Sequence, residues 1–125
     1  MSLVEYEERN GVLLVTMNRP EKKNALNGEM YGALADGIQY VEGSPSLRVI
    51  VFTGKDGAFT AGNDLNDLSD PPLPNVELKS DYFLRKLTST DVPLIAAVNG
   101  VAAGVGVTML FHCDFVFAAR SAKLV

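Results

Sequence analysis

Two segments of the chain repeat one pattern, and this repeat most constrains the fold. RVIVFTG (48–54) and LIAAVNG (94–100) each have the apolar, β-branched density of a buried strand. Each is followed by Ala-Gly-x, at 61–63 and 103–105, and then by a predicted helix start. The first N–H groups of a helix lack internal acceptors and lie at the positive end of its dipole. Two such turns side by side would direct two free backbone N–H groups into one crevice, where they suit a developing oxyanion.

The first third of the chain predicts a hairpin followed by a helix. Residues 3–9 and 12–17, on either side of Asn10-Gly11, show either alternating apolar and polar residues or continuous apolar residues, as strands do. This dipeptide favours a tight hairpin turn because both residues accept a positive φ. Asn27 is predicted to cap a helix that ends near Gly43. The apolar residues that recur at helical spacing in it are Met30, Leu34, Ile38 and Val41.

The rest of the chain continues the alternation of strands and helices. DPPLP (70–74) predicts a loop, and a helix is predicted to end at DVP (91–93). A further helix is predicted within 104–111 and a further strand over 115–118. Strands alternating with helices imply right-handed crossovers and an α/β architecture. The apolar residues of the helix before 91–93 are Val76, Phe83, Leu84 and Leu87, and those also expected in the core are Phe111, Phe115 and Phe117.

Composition excludes several functional classes. The 125 residues carry 15 acidic and 11 basic side chains, a formal charge of −4, without a basic stripe for nucleic acid or an anionic membrane. The sequence contains no uncharged apolar stretch of about 18 residues, the length that a membrane-spanning helix needs. The N-terminus lacks the pattern of a secretory signal. The single cysteine, Cys113, favours a reducing compartment, so the expected location is the cytoplasm, or the peroxisome or mitochondrion in a eukaryote.

Four segments, in order, resemble the enoyl-CoA hydratase/isomerase (crotonase) family and cover nearly the whole chain. They are NRPEKKNALN (18–27), TGKDGAFTAGNDL (53–65), VPLIAAVNGVAAGVG (92–106) and CDFVFAARSAK (113–123). The resemblance implies an α/β spiral of repeated strand–strand–helix units, of which residues 1–125 are expected to form the N-terminal part of an acyl-CoA-binding domain. It also implies an acyl-CoA substrate, no metal or redox cofactor, and a homotrimer or hexamer at full length.

The resemblance assigns the two oxyanion-binding donors to the backbone N–H groups of Asn63 and Val105. Family members usually have glycine where Val105 stands. Valine can still donate if its φ is negative, although its side chain would narrow the pocket. Ala25 and Leu26 would form a wall near the adenine of CoA. The expected substrate-binding residues are Lys22, Lys23, Ala25, Ala61, Gly62, Asp64, Leu65, Gly104 and Thr108.

Thr108 stands where hydratases of the family carry a glutamate that activates water. Threonine cannot replace that carboxylate as a general base, because its hydroxyl does not ionise near neutral pH. VGVTML and AGNDL instead resemble the Δ3,Δ2-enoyl-CoA isomerase branch, whose single catalytic glutamate is expected beyond residue 125 in a protein about twice this length. The alternatives are an enoyl-CoA hydratase, a non-catalytic acyl-CoA-binding protein and a structural partner subunit.

Each of these site residues has a structural alternative. The small residues of the two Ala-Gly-x turns also suit tight packing of a strand against a helix. Asp64 suits a helix cap better than a pocket acid. Thr108 either lines the acyl pocket or occupies a helix face. Arg19, Lys22 and Lys23 either contact CoA phosphates or form a solvated turn.

Two competing motifs are weaker. Gly104-Val105-Gly106 begins a dinucleotide-binding pattern, but Met109 stands where that pattern needs a glycine or alanine. His112-Cys113-Asp114 is composed of consecutive residues, whose side chains do not converge on one point in a helix or a strand. No nucleophilic cysteine site and no metal site are therefore expected.

Overall fold

The computed structural model describes residues 2–66 and 74–125. Its strands are β1 (Val4–Arg9), β2 (Val12–Met17), β3 (Val49–Gly54), β4 (Ala58–Thr60), β5 (Leu94–Val98), β6 (Val101–Ala102), β7 (Phe115–Ala118) and β8 (Lys123–Leu124). Its helices are α1 (Gly28–Glu42), α2 (Lys79–Ser89) and α3 (Val105–Thr108), with 3-10 turns at Pro20–Lys22 and Met109–His112. Most of the predicted DPPLP loop, residues 70–73, lies outside the described residues.

Five strands form the main sheet, in the order β1-β2-β3-β5-β7. β1 and β2 pair antiparallel across Asn10-Gly11, whose φ angles of 52° and 84° are those that the hairpin prediction requires. The other pairs are parallel, with Ile50 opposite Leu94 between the two repeated strands. The predicted α/β architecture is confirmed.

The core lies between one face of this sheet and the two longer helices. α1 begins as predicted, because the Asn27 side chain accepts a hydrogen bond from the Met30 N–H at 2.9 Å. α2 packs over α1, and its Phe83 meets Phe52 of β3 edge to face with ring centroids 6.1 Å apart. The buried residues of α1 include all four that the helical spacing predicted: Met30, Leu34, Ile38 and Val41.

A second sheet, formed by β4, β6 and β8 in parallel, was not predicted. Its strands contain only two or three residues, too few for a hydrophobic pattern to identify. Two of them, β4 and β6, separate the repeated strands from their Ala-Gly-x turns. Asn99 joins the two sheets: its side chain accepts from the Gly54 N–H at 3.1 Å and donates to the carbonyls of Gly54 at 2.7 Å and Ala58 at 3.2 Å.

Several expectations about individual elements are wrong. Val76 precedes α2 and is exposed, because α2 begins only after the extended residue Leu78. The helix predicted within 104–111 is one turn of α3 followed by a 3-10 turn. Phe111, Phe115 and Phe117 are 84%, 61% and 64% exposed rather than buried. The last two lie on β7, at the edge of the main sheet, where none of its four residues is covered by the part of the chain that the structure describes.

No helix in residues 2–66 and 74–125 combines the length and apolar character needed to cross a bilayer.

Candidate active site

The two Ala-Gly-x turns lie against each other. Gly62 has φ of 96° and Gly104 of 58°. A Cβ placed on Gly62 would lie 2.9 Å from the carbonyl oxygen of Ala103, closer than side-chain carbons come to backbone atoms. Gly62 is therefore required both for its left-handed backbone and for this close approach.

Hydrogen bonds on both sides of Asn63 hold the first turn in place. The Leu26 N–H donates to the Gly62 carbonyl at 2.7 Å, and the Asp64 N–H donates to the Leu26 carbonyl at 2.9 Å. Asn63, between them, forms a parallel bridge with Leu26. In such a bridge the residue between the two bonded neighbours, here Asn63, directs its own N–H away from the partner segment. Within residues 2–66 and 74–125, the Asn63 N–H has no acceptor.

The second turn leads directly into α3. The Gly106 N–H donates to the Ala103 carbonyl at 2.9 Å, and the N–H groups of Val107 and Thr108 donate to the Gly104 carbonyl at 3.0 and 3.1 Å. Val105, the first residue of α3, has a helical and therefore negative φ. Its N–H has no acceptor among the residues that the structure describes. Val105 in the second turn thus corresponds to Asn63 in the first, because each has an N–H without an acceptor among the described residues.

Asn63, Val105 and Thr108 line one pocket of about 200 Å³. Thr108 is exposed, and its hydroxyl also donates to the Gly104 carbonyl at 3.3 Å. It therefore contributes to the pocket while making a hydrogen bond along its own helix. The apolar wall of the pocket is formed by Phe83, Leu84, Leu87 and Met109. The structure thus gathers the two predicted donors and Thr108 at one apolar site.

The other predicted contact residues are not among the described residues that line this pocket. Lys22, Lys23 and Ala61 are exposed, and Ala25 is partly exposed. Leu65 is 79% exposed. Substrate contacts by these residues stay predictions.

Tyr31 was missed by sequence reasoning. It lies on α1, is only 5% exposed, and lines the pocket. Its hydroxyl donates to the side-chain oxygen of Asn63. In the sequence it looks like any core aromatic of a helix, because the pattern does not show which partner its hydroxyl meets.

Asn24 was also missed, although it organises the predicted basic loop. It is fully buried. Its side-chain oxygen accepts from the Arg19 N–H at 2.7 Å, and its amide donates to the carbonyls of Lys55 at 3.1 Å and Ala58 at 3.0 Å. The only signal in the sequence is its residue type, since asparagine tolerates the positive φ of 58° found here.

Arg19 connects this loop to the first Ala-Gly-x turn. Its guanidinium donates to the Asp64 carboxylate at 2.7 Å and to the Ala25 carbonyl at 3.2 Å. The other Asp64 oxygen accepts from the Asn66 N–H at 3.0 Å, which supports the capping interpretation of Asp64. Because Arg19 is engaged with Asp64, Lys22 and Lys23 are the exposed cations of the predicted basic cluster.

A sequence model of the enoyl-CoA hydratase/isomerase family matches residues 7–125. The chain belongs to this family. One of its relatives is the 1,2-epoxyphenylacetyl-CoA isomerase of Escherichia coli strain K12, 41% identical over all of this chain and 50% of the relative. Another is the 2,3-dehydroadipyl-CoA hydratase of the same organism, 35% identical over 98% of this chain and 49% of the relative. The chain spans about half the length of these curated relatives.

A solved structure described as an enoyl-CoA hydratase/isomerase from Pseudoalteromonas atlantica T6c shares the fold. It matches with a TM-score of 0.93 at 41% identity, over 98% of this chain and 49% of that chain. The predicted crotonase-like α/β fold is therefore confirmed for this member of the enoyl-CoA hydratase/isomerase family. The relatives include both an isomerase and a hydratase, so they establish the family without choosing between the two reactions.

Acid should weaken the Arg19–Asp64 link of this enoyl-CoA hydratase/isomerase family member. The Arg19 guanidinium, followed by the Asn66 N–H, holds the pKa of Asp64 below its ordinary value. A lowered pKa means that the ion pair stabilises the fold above the ordinary aspartate pKa of about 3.9 and loses this effect as the pH falls through the folded-state value. We expect the Asp64→Asn variant to unfold at lower urea concentration than the wild type at pH 7, with the difference shrinking below about pH 4.

The matched control for this measurement is Asp91→Asn, which alters an exposed aspartate without an ion pair to any described residue. Its urea midpoint should stay close to that of the wild type across the same pH range. A constant difference between Asp64→Asn and the wild type from pH 7 to pH 3 would contradict an ionic role for Asp64.

The His112-Cys113-Asp114 motif does not assemble into a reactive centre. The Cys113 thiol donates to the Met109 carbonyl at 3.4 Å, and the Asp114 carboxylate accepts from the Leu94 N–H at 2.8 Å. Among the described residues, no three histidine, cysteine or acidic side chains come together as metal ligands would.

Cys113 should react slowly with alkylating reagents. Burial, followed by the Asp114 charge, raises the pKa of its thiol from 9.0 to about 11. The thiolate fraction at neutral pH is therefore about 100-fold below that of an ordinary cysteine. Mass spectrometry after iodoacetamide treatment at pH 7.5 should show slow labelling of the folded protein and rapid labelling in urea. Equal rates in the two states would refute the raised pKa.

Proposed function

We propose that the natural full-length protein containing this chain is an acyl-CoA enzyme, specifically an enoyl-CoA isomerase. The observation that supports the proposal is the pair of N–H groups, of Asn63 and Val105, that lack acceptors among the described residues while both residues line one apolar pocket. An oxygen that gains negative charge during a reaction is stabilised by two such donors held in advance. A thioester carbonyl that becomes an enolate meets this description.

In the proposed reaction the thioester oxygen accepts hydrogen bonds from both N–H groups. A base removes a proton from the carbon next to the carbonyl, and the resulting charge is delocalised onto that oxygen. The proton then returns two carbons further along, which shifts the double bond from the 3- to the 2-position. Each N–H donor would contribute about 2.7–4 kcal/mol to transition-state stabilisation. No metal or redox cofactor is required in this scheme, because the thioester itself acidifies the transferred proton.

Thr108 favours isomerisation over hydration. It lines the pocket at the position where the resemblance gives hydratases a water-activating glutamate. Its hydroxyl donates to the Gly104 carbonyl and does not ionise near neutral pH, so it does not serve as a general base. Enoyl-CoA hydratase is the second candidate, since one relative is named as the hydratase of 2,3-dehydroadipyl-CoA.

The test is to supply the natural full-length protein with 3-enoyl-CoA and, separately, with 2-enoyl-CoA. We expect the protein to convert 3-enoyl-CoA to the conjugated 2-enoyl thioester, which is detected by its ultraviolet absorbance. We expect little hydration of 2-enoyl-CoA. Efficient hydration without isomerisation would establish the hydratase instead. Saturable binding of acyl-CoA without either reaction would indicate a binding protein, and the absence of binding would indicate a structural subunit.

We also propose partners for the natural full-length protein. We expect the exposed Lys22 and Lys23 to contact the phosphates of CoA, which a loss of affinity in Lys22→Ala and Lys23→Ala variants would support. A homotrimer or hexamer is the expected assembly of the full-length protein, and light scattering would measure it.

A further inference from the structure

One residue of the pocket lined by Asn63 and Val105 is acidic and exposed. Asp81, in the first turn of α2, lines it together with Asn63 and Val105. Among the described lining residues, Asp81 is the only one with a side chain that is charged at neutral pH. No hydrogen bond or ion pair joins its carboxylate to any residue that the structure describes. A negative charge therefore lies at the edge of a mostly apolar pocket.

No described cation lines the pocket to balance this charge. The three cations of α2 are each engaged elsewhere: Lys79 lies over the ring of Tyr82 at 5.9 Å, Arg85 makes two hydrogen bonds of 3.0 Å to Glu77, and Lys86 pairs with Glu42 at 2.5 Å. Arg19 is paired with Asp64, the residue after Asn63. Each of these cations is thus engaged with another partner, and none of them lines the pocket beside Asp81.

We propose that Asp81 determines substrate specificity by disfavouring acyl groups that end in a second carboxylate. This inference rests on the proposed function, because the acyl group enters this pocket only if the Asn63 and Val105 N–H groups hold the thioester oxygen. An uncharged acyl chain packs against the wall formed by Phe83, Leu84 and Met109. A terminal carboxylate would lose water there, meet no cation, and be repelled by Asp81.

The experiment compares hexanoyl-CoA with adipyl-CoA, which have the same CoA group and six acyl carbons and differ by one terminal carboxylate. Affinities of both for the natural full-length protein are measured by isothermal titration calorimetry. The wild type should bind hexanoyl-CoA more tightly. In Asp81→Asn the dissociation constant of adipyl-CoA divided by that of hexanoyl-CoA should fall about three- to tenfold, mainly because adipyl-CoA binds better. In the wild type the ratio should also fall as salt is raised, because salt screens the repulsion.

Two further variants make the outcome decisive. Asp81→Ser should change the ratio in the same direction as Asp81→Asn, and it serves if the asparagine variant does not fold. Asp91→Asn removes an exposed carboxylate beyond the end of α2 and should leave the ratio unchanged. An unchanged ratio in both Asp81 variants, with normal binding of hexanoyl-CoA, would overturn the role of Asp81 and leave the proposed function standing. A wild type without saturable hexanoyl-CoA binding would overturn both.

Discussion

For the proposed isomerase, replacing Gly62 with alanine is expected to lower kcat of the natural full-length protein for 3-enoyl-CoA about 100-fold. The new methyl group would lie 2.9 Å from the Ala103 carbonyl oxygen, and the φ of 96° is strained for any residue with a Cβ. The two turns must therefore separate, which moves the Asn63 N–H relative to the Val105 N–H. Loss of one such donor typically lowers kcat by a factor of about 10²–10³. Steady-state kinetics would measure the effect.

The matched control is Gly57→Ala. Gly57 also has a positive φ, 82°, but a Cβ there meets nothing within 4 Å. Both variants carry the strain of a left-handed alanine, and only Gly62→Ala adds the clash between the turns. We expect Gly57→Ala to lose some stability and keep its kcat. Equal kcat values for Gly62→Ala and the wild type would show that the contact between the turns does not set the donor geometry.

Replacing Asn24 with alanine is expected to lower the free energy of unfolding by about 2–4 kcal/mol. The substitution leaves the part-buried Arg19 N–H and Lys55 carbonyl without the side-chain partners that they have in the wild type. It also places alanine at a φ of 58°, which adds strain. Because Asn24 is fully buried, water does not readily replace the lost hydrogen bonds. Urea unfolding of the natural full-length protein would measure the loss.

Asn10→Ala separates the two contributions. Asn10 has a similar φ of 52°, but it lies exposed in the hairpin turn. It therefore reports the cost of the strained backbone alone, which we expect to be about 1 kcal/mol. If Asn24→Ala destabilises the protein no more than Asn10→Ala does, the buried hydrogen bonds contribute little to the fold.

The main elements were predictable because neighbouring residues determine them. The Asn10-Gly11 turn accepts positive φ at both positions, so the hairpin follows from two residues. Asn27 caps α1 through a hydrogen bond to the N–H three residues later. The buried strands β3 and β5 were visible as dense apolar runs.

Other features of the fold were not predictable from local patterns. β4 and β6 are too short to show a period, and they form only because each pairs with a distant strand. Phe115 and Phe117 look like core residues in the sequence, but β7 is an edge strand and leaves them exposed. Burial depends on what packs against a strand, which the strand's own residues do not specify.

The sequence by itself determined the α/β class, the boundaries of the hairpin and first helix, the membership of the enoyl-CoA hydratase/isomerase family, and the pair of turns that carry Asn63 and Val105. Only the tertiary structure brought Gly62 against Ala103, which lie about forty residues apart, and added Tyr31 and Asp81 to the pocket between α1, α2 and α3. The physical reason is the distance along the chain over which each interaction acts. Turn and capping preferences act over a few neighbouring residues, whereas the shape and charge of a pocket depend on side chains that meet only after the chain has packed.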